Sequence, residues 1–240
     1  MHGVRPPMIE ASPLFARGWL AQAPVALRDG LLAIARIRDV ARHDVVYRIG
    51  DAPDGLFGVL SGGFAFEVAP HERGPTFVHL FHTGAWFGEA ELFDGRPRIA
   101  AIRATQRSSV LHLPLAALRD LAATNPDMWR LLGVLSANQL QLALGGVDDL
   151  MIRDPGQRIA AILLRLASVR LSDVEFNDAN QDIGITQDAL AAIANVSRAT
   201  VAQHLSDFER AGLVTRSYGR VRILDSGRLR GSVSSDEPLP

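Results

Sequence analysis

The chain has 240 residues, 48% of them hydrophobic and 21% charged, with a formal net charge of −1. That length supports one large or two modest domains, each with its own core, and the balance is that of an ordinary soluble protein. The absence of cysteine excludes disulfides, thiolate metal sites and cysteine-ligated iron–sulfur clusters. The longest apolar runs, such as Ile159–Leu164 and Ala189–Ala194, are far too short to span a bilayer. Pro6 and Pro7 stand where a secretory signal would have its apolar stretch, so a cytoplasmic location is expected. All 25 basic residues are arginine, and their placement is uneven. Seven lie between Arg198 and Arg230, against Asp207, Glu209 and Asp225, whereas Leu171 to Val196 carries five acids and no base. A locally basic end of this kind attracts phosphate.

Along the chain, a proline-bearing start gives way to a helical stretch over roughly Pro13 to Arg38. From about Asp44 to Leu113 the pattern becomes short β-prone stretches broken by glycine and aspartate, the mark of an all-β roll or barrel. After Pro114 the period is helical, and Pro126 to Met151 forms a long amphipathic run. Its stripe of Met128, Leu131, Leu135 and Leu142, with Asn138 among them, suits packing against a copy of itself or against its own β-roll. Gly145 and Gly146 interrupt the pattern, each weakening a helix by about 1 kcal/mol relative to alanine, and a bend or soft point is expected there. Asp154-Pro155 reads as an N-cap followed by proline at the first helical position, which places a domain boundary at Ile152–Asp154.

The segment from Ile185 to Val214 contains two helical stretches joined by a very short turn. Thr186 suits the N-cap of the first, with Leu190, Ile193 and Ala194 inward. Asn195 stands at the reversal, where asparagine tolerates left-handed backbone. Ser197 suits the N-cap of the second, with Val201, Leu205 and Phe208 inward. That leaves Arg198, Thr200, Gln203 and His204 near the exposed N-terminal half, which is a helix-turn-helix pattern whose second helix enters the major groove. Beyond it, alternation on both sides of Ser217–Arg220, with Gly219 in the bend, reads as a β-hairpin wing whose Arg216, Arg220 and Arg222 suit a phosphate backbone.

Gly50–Gly63 ("GDAPDGLFGVLSGG"), Phe87–Ala100 ("FGEAELFDGRPRIA"), Asn125–Asp127 ("NPD") and Val196–Val201 ("VSRATV") fall in that order. With them, the chain from about residue 13 to 228 resembles the Crp/Fnr family of bacterial transcription regulators. The resemblance implies an α+β fold: a cyclic-nucleotide-binding-like effector β-roll with flanking helices over 13–124, a dimerisation helix and hinge over 125–153, and a winged helix-turn-helix over 154–231. Residues 1–12 and 232–240 are expected to be disordered tails. It further implies that Glu89 accepts from a ribose 2′-OH and Arg98 pairs with a cyclic phosphate, while main-chain N–H groups near Gly88, Ile99 and Ala100 complete an anion cradle. The physics agrees, since a cyclic phosphodiester is one anion whose two free oxygens suit an arginine fork, and small neighbours let backbone donors approach. Ile99 offers only its N–H, and Ala143 and Leu144 stand where nucleotide-binding members carry base-bonding hydroxyls, so base selectivity is expected to be weak or different.

In the same resemblance Arg198 matches a guanine-reading arginine, and the next reading positions fall at Ala199 and Gln203. The DNA-binding set is completed by Thr186, Ser197, Thr200, His204 and Arg220. The partners implied are double-stranded DNA, a second copy of the chain, a small-molecule effector with cyclic AMP first, and RNA polymerase; no cofactor, catalytic residue, metal or membrane is expected. The alternatives are a regulator of this kind answering to another ligand or to none, with Glu89 and Arg98 as a partly buried ion pair. Haem held by His43, His71, His79, His82 or His112 is another, as is a regulatory cyclic-nucleotide subunit acting on a protein partner. The distant alternative is a metal-dependent cupin-like enzyme using His79, His82 and Glu89. Its two histidines are an odd number of residues apart, so on one strand they point to opposite faces.

Overall fold

The computed structural model describes residues 12–16, 18–21, 23–69, 76–167 and 182–234. The expected tails at residues 1–11 and 235–240 and the candidate haem ligand His71 lie outside the described residues. The chain divides into two compact units, one drawn from residues 1–75 and 80–139 and the other from 76–79 and 140–240.

The first unit opens with a short helix α1 (Pro13–Ala16), a 3-10 turn (Gly18–Leu20) and α2 (Val25–Ile34). Ala35 leaves α2 in extended backbone, φ −68° and ψ 142°, and the chain passes straight into β1 (Arg36–Val40). The helix expected to reach Arg38 therefore stops earlier. Arg36 to Val40 pair antiparallel with the later strand β8 (Ser108–Pro114), and that tertiary pairing overrides a local sequence with no clear alternation. Two antiparallel four-stranded sheets make the β-roll. One is ordered β1, β8, β3 (Gly55–Ser61), β6 (Trp86–Phe87), and the other β2 (Val45–Tyr47), β7 (Ala100–Ala104), β4 (Gly63–Val68), β5 (Thr76–His82). Tyr47, Phe57, Phe64, Phe81 and Phe87 fill the interior of the roll with Val59, Ile102 and Val110. Between β6 and β7 lie the five-residue helix α3 (Ala90–Asp94) and a loop ending at Ile99.

Helix α4 (Leu115–Thr124) and the 25-residue helix α5 (Asp127–Met151) follow. Helix α5 continues as one element through Gly145 and Gly146. Of the two partners open to its stripe, the chain itself takes Met128, Leu131 and Leu135, which are buried in its own core with Leu14, Trp19, Leu27, Leu31 and Trp86. Leu142 is half-buried and Asn138 exposed. Val134, Leu140, Leu144, Val147 and Met151 face solvent instead.

In the second unit Asp154 caps α6 (Pro155–Leu166), accepting from the Gln157 N–H at 2.8 Å, with proline at the first position. Helices α7 (Gln187–Ala194) and α8 (Arg198–Arg210), the sheet ordered β10 (Val214–Ser217), β11 (Arg220–Ile223), β9 (Asp182–Ile183), and α9 (Ser226–Ser234) complete it. The tail expected from residue 232 thus begins inside a helix, with Ser232 buried and its hydroxyl donating to the Leu229 carbonyl. At the other end, Ser12 of the expected first tail is also buried. Asp149 on α5 and Arg165 on α6 form a buried pair at 2.6 Å, and burial lowers the Arg165 pKa. Among the described residues no helix is long and apolar enough to cross a membrane.

Candidate functional site

Arg98 is the largest side chain fully enclosed in the roll, at 1% exposure. A buried guanidinium is costly unless its donors are taken, and this one is heavily coordinated. Nη1 donates to the Gly88 carbonyl at 2.9 Å and to Glu91 Oε2 at 2.9 Å; Nη2 donates to the Gly55 carbonyl at 2.7 Å and to Asp54 Oδ1 at 3.1 Å. The Tyr47 ring lies 4.2 Å from its central carbon, a cation–π contact, and burial raises the Tyr47 hydroxyl pKa, keeping it protonated. Nε is buried with no hydrogen-bond partner among the described residues. The backbone is pinned too, with Arg98 N–H donating to the Asp51 carbonyl and the Arg98 carbonyl accepting from Gly50 N–H, each at 2.8 Å.

Gly88 has to be glycine. Its φ is +90°, and a Cβ there would sit 3.0 Å from Arg98 Nη1 and 3.2 Å from the Gly55 carbonyl oxygen. It is the Gly88 carbonyl oxygen that reaches the guanidinium. Ala100 opens β7 opposite Val68, and the side chain of Ile99 is exposed.

Glu89 and Arg98 are not an ion pair. Among the described residues Arg98 pairs with Glu91 and Asp54. Glu89, at 7% exposure, has its pKa pushed up to about 6 by burial, which outweighs the lowering by a hydrogen bond to its own backbone; the negative charge of Glu91 adds a smaller rise and Arg98 a smaller lowering. Sequence reasoning assigned no role to Glu91, although it lies within the Phe87–Ala100 segment. Glu91 is 6% exposed, and its second oxygen, Oε1, accepts from the Ile99 N–H at 3.3 Å. Its signal was an ionisable residue two positions after Glu89 in that segment. Tyr47 and Asp54 carried no comparable signal, because β2 and the start of β3 bring them to Arg98 from far along the chain.

His79 and His82 both lie on β5, and His79 Nδ1 is 3.2 Å from the Arg165 guanidinium, a cation that opposes a metal there. Glu89 belongs to the Arg98 neighbourhood, and the described residues hold no cluster of three or more potential metal ligands.

At the other candidate site, α7 and α8 meet through Asn195 in left-handed backbone, φ 51° and ψ 49°. Thr186 Oγ1 accepts from the Ala189 N–H at 3.1 Å and Ser197 Oγ from the Thr200 N–H at 3.0 Å, so both hydroxyls act as caps. Val201, Leu205 and Phe208 are buried, which turns Arg198, Ala199 and Gln203 to solvent, with Thr200 half-buried between. Arg198 makes an exposed 3.6 Å contact with Asp188, and Gln203 donates to Asp207 at 3.1 Å. His204 departs from the expected exposed face: it is half-buried, and a Cβ on Gly156 would lie 2.9 Å from its Nδ1. On the wing, Tyr218 and Gly219 form the tip, the tyrosine 97% exposed. Arg220 and Arg222 approach Asp182 at 3.2 and 3.5 Å. Arg216 is committed to Glu209, its Nε donating at 2.9 Å and its main-chain N–H at 3.0 Å, and this bonding lowers the Glu209 pKa. Arg216 is therefore less available to phosphate than its position suggests.

Residues 37–125 match the family model described as a cyclic nucleotide-binding domain, and residues 157–231 the one described as a Crp-like helix-turn-helix domain. A CRP-like cAMP-activated global transcriptional regulator from Mycobacterium tuberculosis is 27% identical over 191 residues, covering 80% of this chain and 85% of that protein. The cAMP-activated global transcriptional regulator CRP of Escherichia coli O6:H1 is 28% identical over 176 residues, 73% of this chain and 82% of that protein. A solved transcriptional regulator of the CRP/FNR family from Thermus thermophilus is similar with a TM-score of 0.62 at 25% identity, covering 84% of this chain and all (100%) of that one.

Proposed function

The chain belongs to the Crp/Fnr family of bacterial transcription regulators, and from that premise we propose that it works as a homodimer reading double-stranded DNA sequence-specifically, with a cyclic nucleotide, cyclic AMP first, as effector in the β-roll. The chain is a DNA-binding regulator and not an enzyme. The observation that carries the reading is the presentation of α8. Capped at Ser197 and anchored by Val201, Leu205 and Phe208, it turns Arg198, Ala199 and Gln203 outward from its first two turns. A helix so presented enters the major groove N-terminus first, and its arginine reads guanine bidentately. Arg220 and Arg222 on the wing serve the phosphate backbone, each approaching a partly exposed carboxylate that a phosphate can replace.

In the roll, Arg98 takes the cyclic phosphate with the Ile99 N–H, and Glu89 takes a ribose hydroxyl. Support comes from the match of residues 37–125 to a cyclic nucleotide-binding domain and from the enclosed guanidinium with its buried, unpartnered Nε. Selection from random duplex DNA, followed by gel shift of the recovered site with and without cyclic AMP, tests both halves. The expected outcome is a palindromic site with half-sites one helical turn apart, bound more tightly with cyclic AMP, and Arg98→Ala abolishing the cyclic AMP effect while leaving ligand-free binding. Recovery of no preferred sequence would remove the sequence-reading role.

A further inference from the structure

We infer that Glu91 is a built-in anion: its carboxylate occupies the phosphate seat of the β-roll and competes with any incoming cyclic phosphate for Arg98 and the Ile99 N–H. This deepens the reading of the roll as an anion-taking effector site and rests on it.

The geometry is that of a ligand. One Glu91 oxygen accepts from Arg98 Nη1 at 2.9 Å and the other from the Ile99 main-chain N–H at 3.3 Å. A planar two-oxygen anion bridging an arginine and the backbone donor next to it takes up the same pair of donors that a phosphodiester's two free oxygens require. Both partners are enclosed, Arg98 at 1% and Glu91 at 6% exposure, so the pair is shielded from solvent competition. Glu91 reaches the seat because α3 starts immediately after Glu89 and places it in the first turn, above the loop that carries Arg98. The other carboxylate on Arg98, Asp54, has a half-exposed side chain and can yield at little cost. Glu91 is different: two anions cannot share Nη1 and one N–H, so the nucleotide binds only when Glu91 has left.

The consequence is a threshold. When the competent form is a minor fraction of the ensemble, apparent affinity falls by that fraction, and removing the competitor restores it. Glu91 thereby sets how much effector is needed, separately from Glu89 and Arg98, which bind it.

The test compares wild type, Glu91→Gln and Glu91→Ala by calorimetric titration with cyclic AMP, and by thermal melting in sodium phosphate against sodium chloride of equal ionic strength. Glu91→Gln keeps the side-chain volume if the alanine variant folds poorly, and Arg98→Ala in the Glu91→Gln background is the control. The expected result is cyclic AMP binding tightened about tenfold or more in the Glu91 variants, with a phosphate-dependent rise in melting temperature that wild type and the control lack. Equal cyclic AMP affinity in all Glu91 forms, or a Glu91 variant that melts lower and gains no response to phosphate, would overturn the inference, because a merely structural ion pair behaves so. A gain in phosphate response without cyclic AMP binding by any form would uphold Glu91 as the seat's occupant and remove cyclic AMP as the effector.

Discussion

Glu89 is a carboxylate enclosed at 7% exposure with no ion-pair partner among the described residues, and the protein bears a cost for keeping it charged. Its pKa of about 6 in the fold exceeds the ordinary 4.5, so folding takes up a proton between those values. Stability from this group therefore falls as pH rises from about 4.5 to about 6 and is at its lowest above that window, by about 2 kcal/mol at about 1.4 kcal/mol per pH unit. Glu89→Gln should raise the urea midpoint at pH 7 and flatten its decline between pH 4.5 and 6, while weakening cyclic AMP binding by removing the ribose acceptor. Equal pH slopes in the two proteins would show that Glu89 is solvated after all. The sequence pointed to Glu89 and Arg98 because a carboxylate and a guanidinium in a glycine-bearing segment are conspicuous. It did not show that Arg98 turns to Glu91 and Asp54, since Asp54 is 44 residues away and comes near only through the β3 register.

Secondary structure was most legible where a residue's own chemistry fixed the backbone. Thr186 and Ser197 cap their helices, Asn195 takes the left-handed turn and Gly219 the wing tip, each a local preference that needs no distant partner. It was least legible at β1 and β6, an edge strand of mostly exposed polar residues and a two-residue strand, which exist only because neighbouring strands supply their hydrogen bonds. Helix α8 carries a prediction of its own. Arg198 is largely exposed and, among the described residues, pairs only with the equally exposed Asp188, so its removal leaves the fold alone. Arg198→Ala should cost about 1–3 kcal/mol of DNA binding at one G·C pair of the half-site and relax the preference there, measured by competition between site variants. A loss spread evenly over all sequences would place Arg198 on phosphate.

For the molecule as a whole, the period of the long helix alone did not say which of its apolar residues belong to the chain's own core. Met128, Leu131 and Leu135 belong to the chain's own core, whereas Val134, Leu140, Leu144, Val147 and Met151 recur at steps of three, four and six residues on the solvent side. Both faces carry apolar residues at helical spacing; burial separates them. A seam of that spacing, open to water along most of a 25-residue helix, is what a second copy would cover in the proposed homodimer. The two faces then fail differently. Leu135→Ala should cost about 2–5 kcal/mol of folding stability and leave the assembly state unchanged. Leu144→Arg alters a side chain 58% exposed in the single chain, so it should leave circular dichroism intact, shift sedimentation from dimer to monomer, and abolish tight binding to a palindrome by separating the two recognition helices. A Leu144→Arg protein that still sediments as a dimer would move the dimer interface off this helix, and the one-turn spacing of half-sites would then need another origin.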